Sequence, residues 1–149
     1  MASLRQFCTD RRGTAALEFA LVVPVLISAF IGIVDVGMAL YDQLQLVNAA
    51  EAGVRYAAVN GWNSGKIQTA VTSATSLSSI AASPAPSQSC GCPSGSGVAA
   101  ANCGSTCSTG TAAGTYITVN AQYAYTPIIP YPGFGQPLTL TAQSMVRIQ

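Results

Sequence analysis

Between Thr14 and Val34 the chain runs for 21 residues with a single charged side chain, Glu18. At 1.5 Å per residue a helix over this stretch is about 31 Å long, the thickness of a bilayer's hydrocarbon core. No other feature restricts the fold as strongly. Such a segment demands a helix, because only a helix satisfies its own backbone groups in lipid. Asp35 then emerges at the far interface, which sets the span at about residues 14–35. Apolar character continues past it to Tyr41. Arg5, Arg11 and Arg12 precede the run, and no basic residue follows until Arg55. The excess of positive charge on one flank places residues 1–13 in the cytoplasm and the remainder outside. A secretory signal peptide has a shorter apolar core followed by a small-residue cut. Here the run is too long, and no clean cut follows it.

The helix is not expected to stop at the membrane. Met38 to Val59 contains no proline and is rich in Ala, Leu and Gln, which favour helix. Glu51 and Arg55 stand four apart in the supportive order. Asn60-Gly61 supplies a C-terminal stop. The spacing predicts one helix over 14–60, about 70 Å long. Lys66 to Ile80 predicts a second, weaker helix. Residues 83–114, with Pro84, Pro86, Pro93 and many Gly and Ser, read as a loop. Residues 115–126 and 138–148 alternate with period two, the strand pattern. Four prolines between them read as an extended connection. The two strands should pair antiparallel and pack on the outer half of the long helix. The expected class is therefore α+β, with an extracytoplasmic domain over 61–149.

Charged residues make up 7% of the chain, against about 25% in ordinary soluble domains. A net charge of +1 offers no basic surface for nucleic acid. There is no histidine, so the commonest general base and transition-metal ligand are missing. Beyond the span, the acids are Asp42 and Glu51, both on the long helix, and they suggest no catalytic carboxylate pair. The expectation is a protein without catalytic residues and without a cofactor.

Cys90, Cys92, Cys103 and Cys107 fall within 18 residues. Four thiols can hold zinc. Their C-x-C and C-x-x-x-C spacings are not the usual pairs, however, and an extracytoplasmic compartment favours disulfides. Two disulfides are expected, either Cys90–Cys103 with Cys92–Cys107 or the crossed alternative. Cys8 precedes the span and is read as a free thiol without a role.

Along the helix, Ser28, Gly32, Asp35, Ala39 and Asp42 recur at steps of four and three. Small residues let membrane helices approach closely, so this stripe reads as a packing seam between subunits, against chance in an Ala-rich helix. Pro24 removes one helical hydrogen bond and favours a kink. Tyr116, Tyr123, Tyr125 and Tyr131 read as strand packing rather than as an adhesive surface.

The residues Gly13-Thr14-Ala15-Ala16-Leu17-Glu18-Phe19 resemble the processing site of type IV pilin-like precursors. In that family a prepilin peptidase cuts after the glycine, and glutamate is the fifth mature residue. The longer stretch from Arg11 to about residue 60 resembles TadE-like proteins, pilin-like components of the tight-adherence (Flp) pilus. The cues are Arg11-Arg12-Gly13, Ala16-Leu17-Glu18-Phe19-Ala20, Pro24 early in the helix, Asp35 with Gly37, and Asn48-Ala49-Ala50-Glu51-Ala52-Gly53. The resemblance implies cleavage between Gly13 and Thr14, and assembly pairing through Glu18 and Phe19. Taken with the small-residue stripe, Pro24, Ser28, Gly32, Asp35 and Gly37 are the expected helix-packing positions. The implied partners are the peptidase, other pilin-like subunits and the inner-membrane assembly platform. It implies a minor component, since the major pilins of that system are much shorter. Two rivals stand beside it. One is a membrane-anchored binding module with no pilus role, which would keep residues 1–13. The other is a zinc enzyme built on the cysteines.

Overall fold

The computed structural model describes residues 14–95, 97–129 and 137–148. Gly13, the basic leader with Cys8, and Tyr131 lie outside the described residues. Helix α1, Thr14–Asn60, runs unbroken for 47 residues. It ends where Gly61 takes φ +79 and donates its N–H to Ala57 O at 2.9 Å. That left-handed conformation is cheap only without a Cβ.

Helix α2 is Ser64–Ser73, capped by Asn63, whose side chain accepts from the Lys66 N–H at 3.0 Å. It starts earlier and stops sooner than the predicted 66–80. Its last turn holds Thr72 and Ser73, whose hydroxyls bond back to Gln68, Thr69 and Ala70 carbonyls. Thr75 then binds Gln45 and takes the Leu77 N–H. Hydroxyl side chains that offer the backbone other partners weaken a helix at such places.

Four strands form one antiparallel sheet in the order β2-β1-β3-β4. They are β1 Ser87–Ser94, β2 Gly97–Ala100, β3 Gly114–Tyr125 and β4 Leu138–Arg147. The expected pairing of the two C-terminal strands is present, from Tyr116↔Arg147 to Tyr125↔Leu138. The reading of 83–114 as loop is corrected: β1 and β2 lie within it. Gly91 and Pro93 hid β1, because both are depleted in strands. Pro93 is tolerated because β1 passes the end of β3 at Gly91↔Gly114 and beyond it pairs only with β2. On that open side a missing N–H breaks no ladder bond.

Alternation sends Ile117, Val119 and Ala121 of β3 to one face, where they meet α1 and α2. Leu46, Ala49, Ala50, Gly53, Val54 and Ala57 are the buried α1 residues of this core, with Ile67 and Val71 from α2. The opposite sheet face is polar, with Gln143 Nε2 bonded to Asn120 Oδ1 at 3.0 Å. The outer half of α1 is thus part of the folded domain, which begins on the helix well before residue 61.

Candidate functional site: the bare helix and its junction with the sheet

Burial divides α1 in two. Among residues 14–34 none is buried, and Phe19, Leu26, Phe30 and Ile33 are all more than 60% exposed. From Asp35 onward the helix has a buried face. The bare segment is therefore the 21 residues Thr14 to Val34, and this helix is long and apolar enough to cross a membrane. Within it Glu18 is exposed. Far up the helix Arg55 and Glu51 form an ion pair at 3.1 Å, largely exposed, which contributes little to stability.

Pro24 leaves the Ala20 carbonyl without its helical donor, and the helix continues through it. Ser28 Oγ donates to Pro24 O at 2.7 Å. In lipid this back-bond gives the hydroxyl a partner within its own helix. Ala29, Gly32, Ile33 and Val36 line a shallow apolar hollow. Gly37 faces open space: an added Cβ would meet nothing within 4 Å.

The stripe Ser28, Gly32, Asp35, Ala39, Asp42 does not remain one open seam. Its upper part faces the chain's own sheet, in line with Leu46, Ala49 and Gly53. Ala39 and Asp42 are half-buried, and Asp35 is 2% exposed. Only Ser28 and Gly32 continue the stripe below the sheet.

Asp35 is the joint between the two parts of the molecule. Tyr125, the last residue of β3, donates its hydroxyl to Asp35 Oδ1 at 2.5 Å and also lies 3.0 Å from Asp35 O. The Ile128 N–H donates to the same Oδ1 at 3.2 Å. A second tie stands higher on the helix, where Gln43 Nε2 donates to Thr141 O in β4 at 2.8 Å. The base of the sheet is therefore held at the point where the bare helix begins. Sequence reasoning singled out Asp35 but not its partners. The one available signal was Tyr125 closing an alternating strand just before Thr126-Pro127.

Removing one partner of a buried hydrogen bond costs about 1–3 kcal/mol. Tyr125→Phe is expected to lose that much in denaturant unfolding of the detergent-solubilised protein. Asp35→Asn, which keeps an acceptor oxygen, should cost less than Asp35→Ala. Equal effects of the two Asp35 variants would show that the acceptor is not what matters.

Tyr116 and Tyr125 are buried and Tyr123 packs on the core, so these tyrosines offer no open aromatic surface. The cysteines pair as Cys90–Cys103 and Cys92–Cys107, with Cα–Cα distances of 5.1 and 5.6 Å. The C-x-C spacing on β1 turns both thiols to one face of the strand, so each reaches the segment after β2. Bonds across 13 and 15 residues each contribute about 3 kcal/mol by restricting the unfolded chain. Their loops interlace, so the two contributions do not add in full. With the four sulfurs bonded in pairs, none of them is a thiolate for zinc. Among the described residues no group of three or more Cys, Asp or Glu could hold a metal ion.

No curated protein and no solved structure matches the chain significantly. The family model described as TadE-like protein matches residues 13–55. It covers the bare helix, the Asp35 joint and the core-forming turns up to Arg55, and over these residues the chain is similar to that family.

Proposed function

We propose that this chain is a minor pilin-like component of a tight-adherence pilus system, a structural part rather than an enzyme. It is anchored in the bacterial inner membrane by α1, with its N-terminus in the cytoplasm and its domain in the periplasm. A prepilin peptidase removes residues 1–13, and the mature chain then meets other pilin-like subunits and the assembly platform. The observation that carries this reading is the TadE-like match beginning at Gly13, next to the first residue of the long helix. The bare apolar length, the basic leader and the acid at the fifth position of the cut chain all agree with it. So does the domain held at one end of that length by Asp35.

N-terminal sequencing of the mature protein tests the proposal. Thr14 is the expected first residue, and replacing Gly13 with a bulky residue should leave only full-length chain. Met1 or Ala2 as the sole N-terminus, in cells with an active prepilin peptidase, would favour the membrane-anchored binding module instead.

A further inference from the structure

The domain has an apolar base. Ile128 is 58% exposed although its N–H is bonded to Asp35. Leu138 is 44% exposed and pairs with Tyr125, the residue whose hydroxyl holds Asp35. Both therefore sit near the height of Asp35. On the helix at and just above that level, Val36, Leu40 and Tyr41 are each about 60% exposed or more. Asp35, the charged residue type among them, is turned inward and covered.

The position of this collar is set by the chain itself. Thr14 to Val34 spans about 31 Å, so a membrane-spanning α1 brings Asp35 to the bilayer surface. Leu40 and Tyr41 then lie about 8–9 Å further out along the helix, in or at the edge of the headgroup layer. Tyrosine is enriched at that depth. An exposed apolar group near the point where a spanning helix leaves the bilayer meets lipid before it meets anything else. Burying apolar area there is favourable at about 25 cal/mol per Å².

We propose that the base of the domain, Ile128 and Leu138 together with Val36, Leu40 and Tyr41, rests in the interfacial layer of the bilayer. The domain is thus a second membrane contact and not a head carried clear of the surface on a stalk. The Asp35 joint makes this contact rigid, since it fixes the sheet's height on the helix. The inference rests on the reading of α1 as a membrane span.

Trp62, the only tryptophan, serves as an internal control. It lies two residues past Asn60, the end of α1, which is itself about 38 Å along the helix from Asp35. The full chain is reconstituted in phosphatidylcholine vesicles containing lipids brominated near the headgroup end of the acyl chain, and tryptophan quenching is read. Native Trp62 should show no loss of emission. In a Trp62→Phe background, Ile128→Trp and Leu138→Trp should lose emission strongly and shift to the blue. Leu26→Trp in the same background, read with lipids brominated deep in the chain, reports the span. If Leu26→Trp is quenched while neither base tryptophan is, the docking is overturned and the span stands. A blue-shifted but unquenched base tryptophan means that polypeptide covers the base, and this also overturns it. If Leu26→Trp is unquenched, the span fails and the docking fails with it.

Discussion

Gly53→Val is expected to destabilise the domain by about 3 kcal/mol or more. Gly53 sits where α1 crosses both α2 and β3. A Cβ at this position would lie 2.7 Å from Val71 Cγ2 and 2.8 Å from Val119 Cγ1, with Ile67 Cγ2 at 3.5 Å. All three neighbours are fully buried and two are β-branched valines, whose side chains have few rotamers to retreat into. Overpacking a core costs about 1–3 kcal/mol, occasionally more. Replacing a mid-helix glycine with alanine returns about 0.5–1 kcal/mol of backbone entropy. Gly53→Ala should therefore be mildly destabilising, and the larger, branched valine should be severe. For a domain of roughly 100 residues, each kcal/mol is about 4–8 °C in Tm. Thermal unfolding in detergent should place Gly53→Ala a few degrees below the wild type and Gly53→Val more than ten below. Trimming the neighbour in Gly53→Ala/Val119→Ala should recover part of the alanine variant's steric cost, although the lost methyls carry a cost of their own. A Gly53→Val protein melting with the wild type would refute the close approach.

Glu18→Ala should insert and be cleaved normally yet fail to join partner pilins. The expectation belongs to the proposed function. Cleavage after Gly13 would expose the Thr14 α-amino group, cationic near neutral pH with a reference pKa of about 7.7–8.0. A charged residue at the centre of a membrane helix costs about 2.5–3.5 kcal/mol on insertion scales. Glu18 is four residues from Thr14, about 6 Å along the helix, so its cost is lower and a lone subunit tolerates it. When subunits pack, water and headgroups leave, and an unpaired carboxylate becomes expensive. The new amine of a neighbour would be the cation at hand, because Arg11 and Arg12 would depart with the leader. Breaking one partner of a buried pair costs about 3–5 kcal/mol, at least a hundredfold in association. Phe19, 71% exposed beside it, would add apolar contact. Co-purification of the cleaved variant with partner subunits, and pilus formation in a deletion strain, are the readouts. Normal assembly by Glu18→Ala would reject the pairing. An uncleaved variant would instead assign Glu18 to peptidase recognition.

The long helix, the two C-terminal strands and the α+β class were legible in the residues because each rests on local, periodic information. An apolar stretch of 21 residues has one stable form in lipid. Tyr116 to Tyr125 and Leu138 to Arg147 alternate with the period of a half-buried strand. Gly61 stops a helix through its own φ. Strands β1 and β2 were not legible: β1 is built of Ser, Gln, Cys, Gly and Pro, which have little strand preference, and β2 is only the four residues Gly-Val-Ala-Ala. β1 becomes a strand on the edge of β3, β2 becomes one on β1, and two disulfides tie β1 to the segment that follows β2, all of them contacts made after the chain has folded back. The choice between the two disulfide connectivities likewise depends on which cysteines β1 carries past the returning loop.

The Asp35 side chain shows the same division most clearly. Its place at the end of the apolar run marked it as a boundary, and its spacing with Ser28 and Gly32 marked a helix face. Neither could say that Tyr125 and Ile128, some 90 residues later, would close over it. Nor could composition tell that Gly53 is a contact point rather than one more small residue in an Ala-rich helix. Periodicity reports which face of an element is apolar. What covers that face, and how closely, is decided only when distant segments compete for the same space.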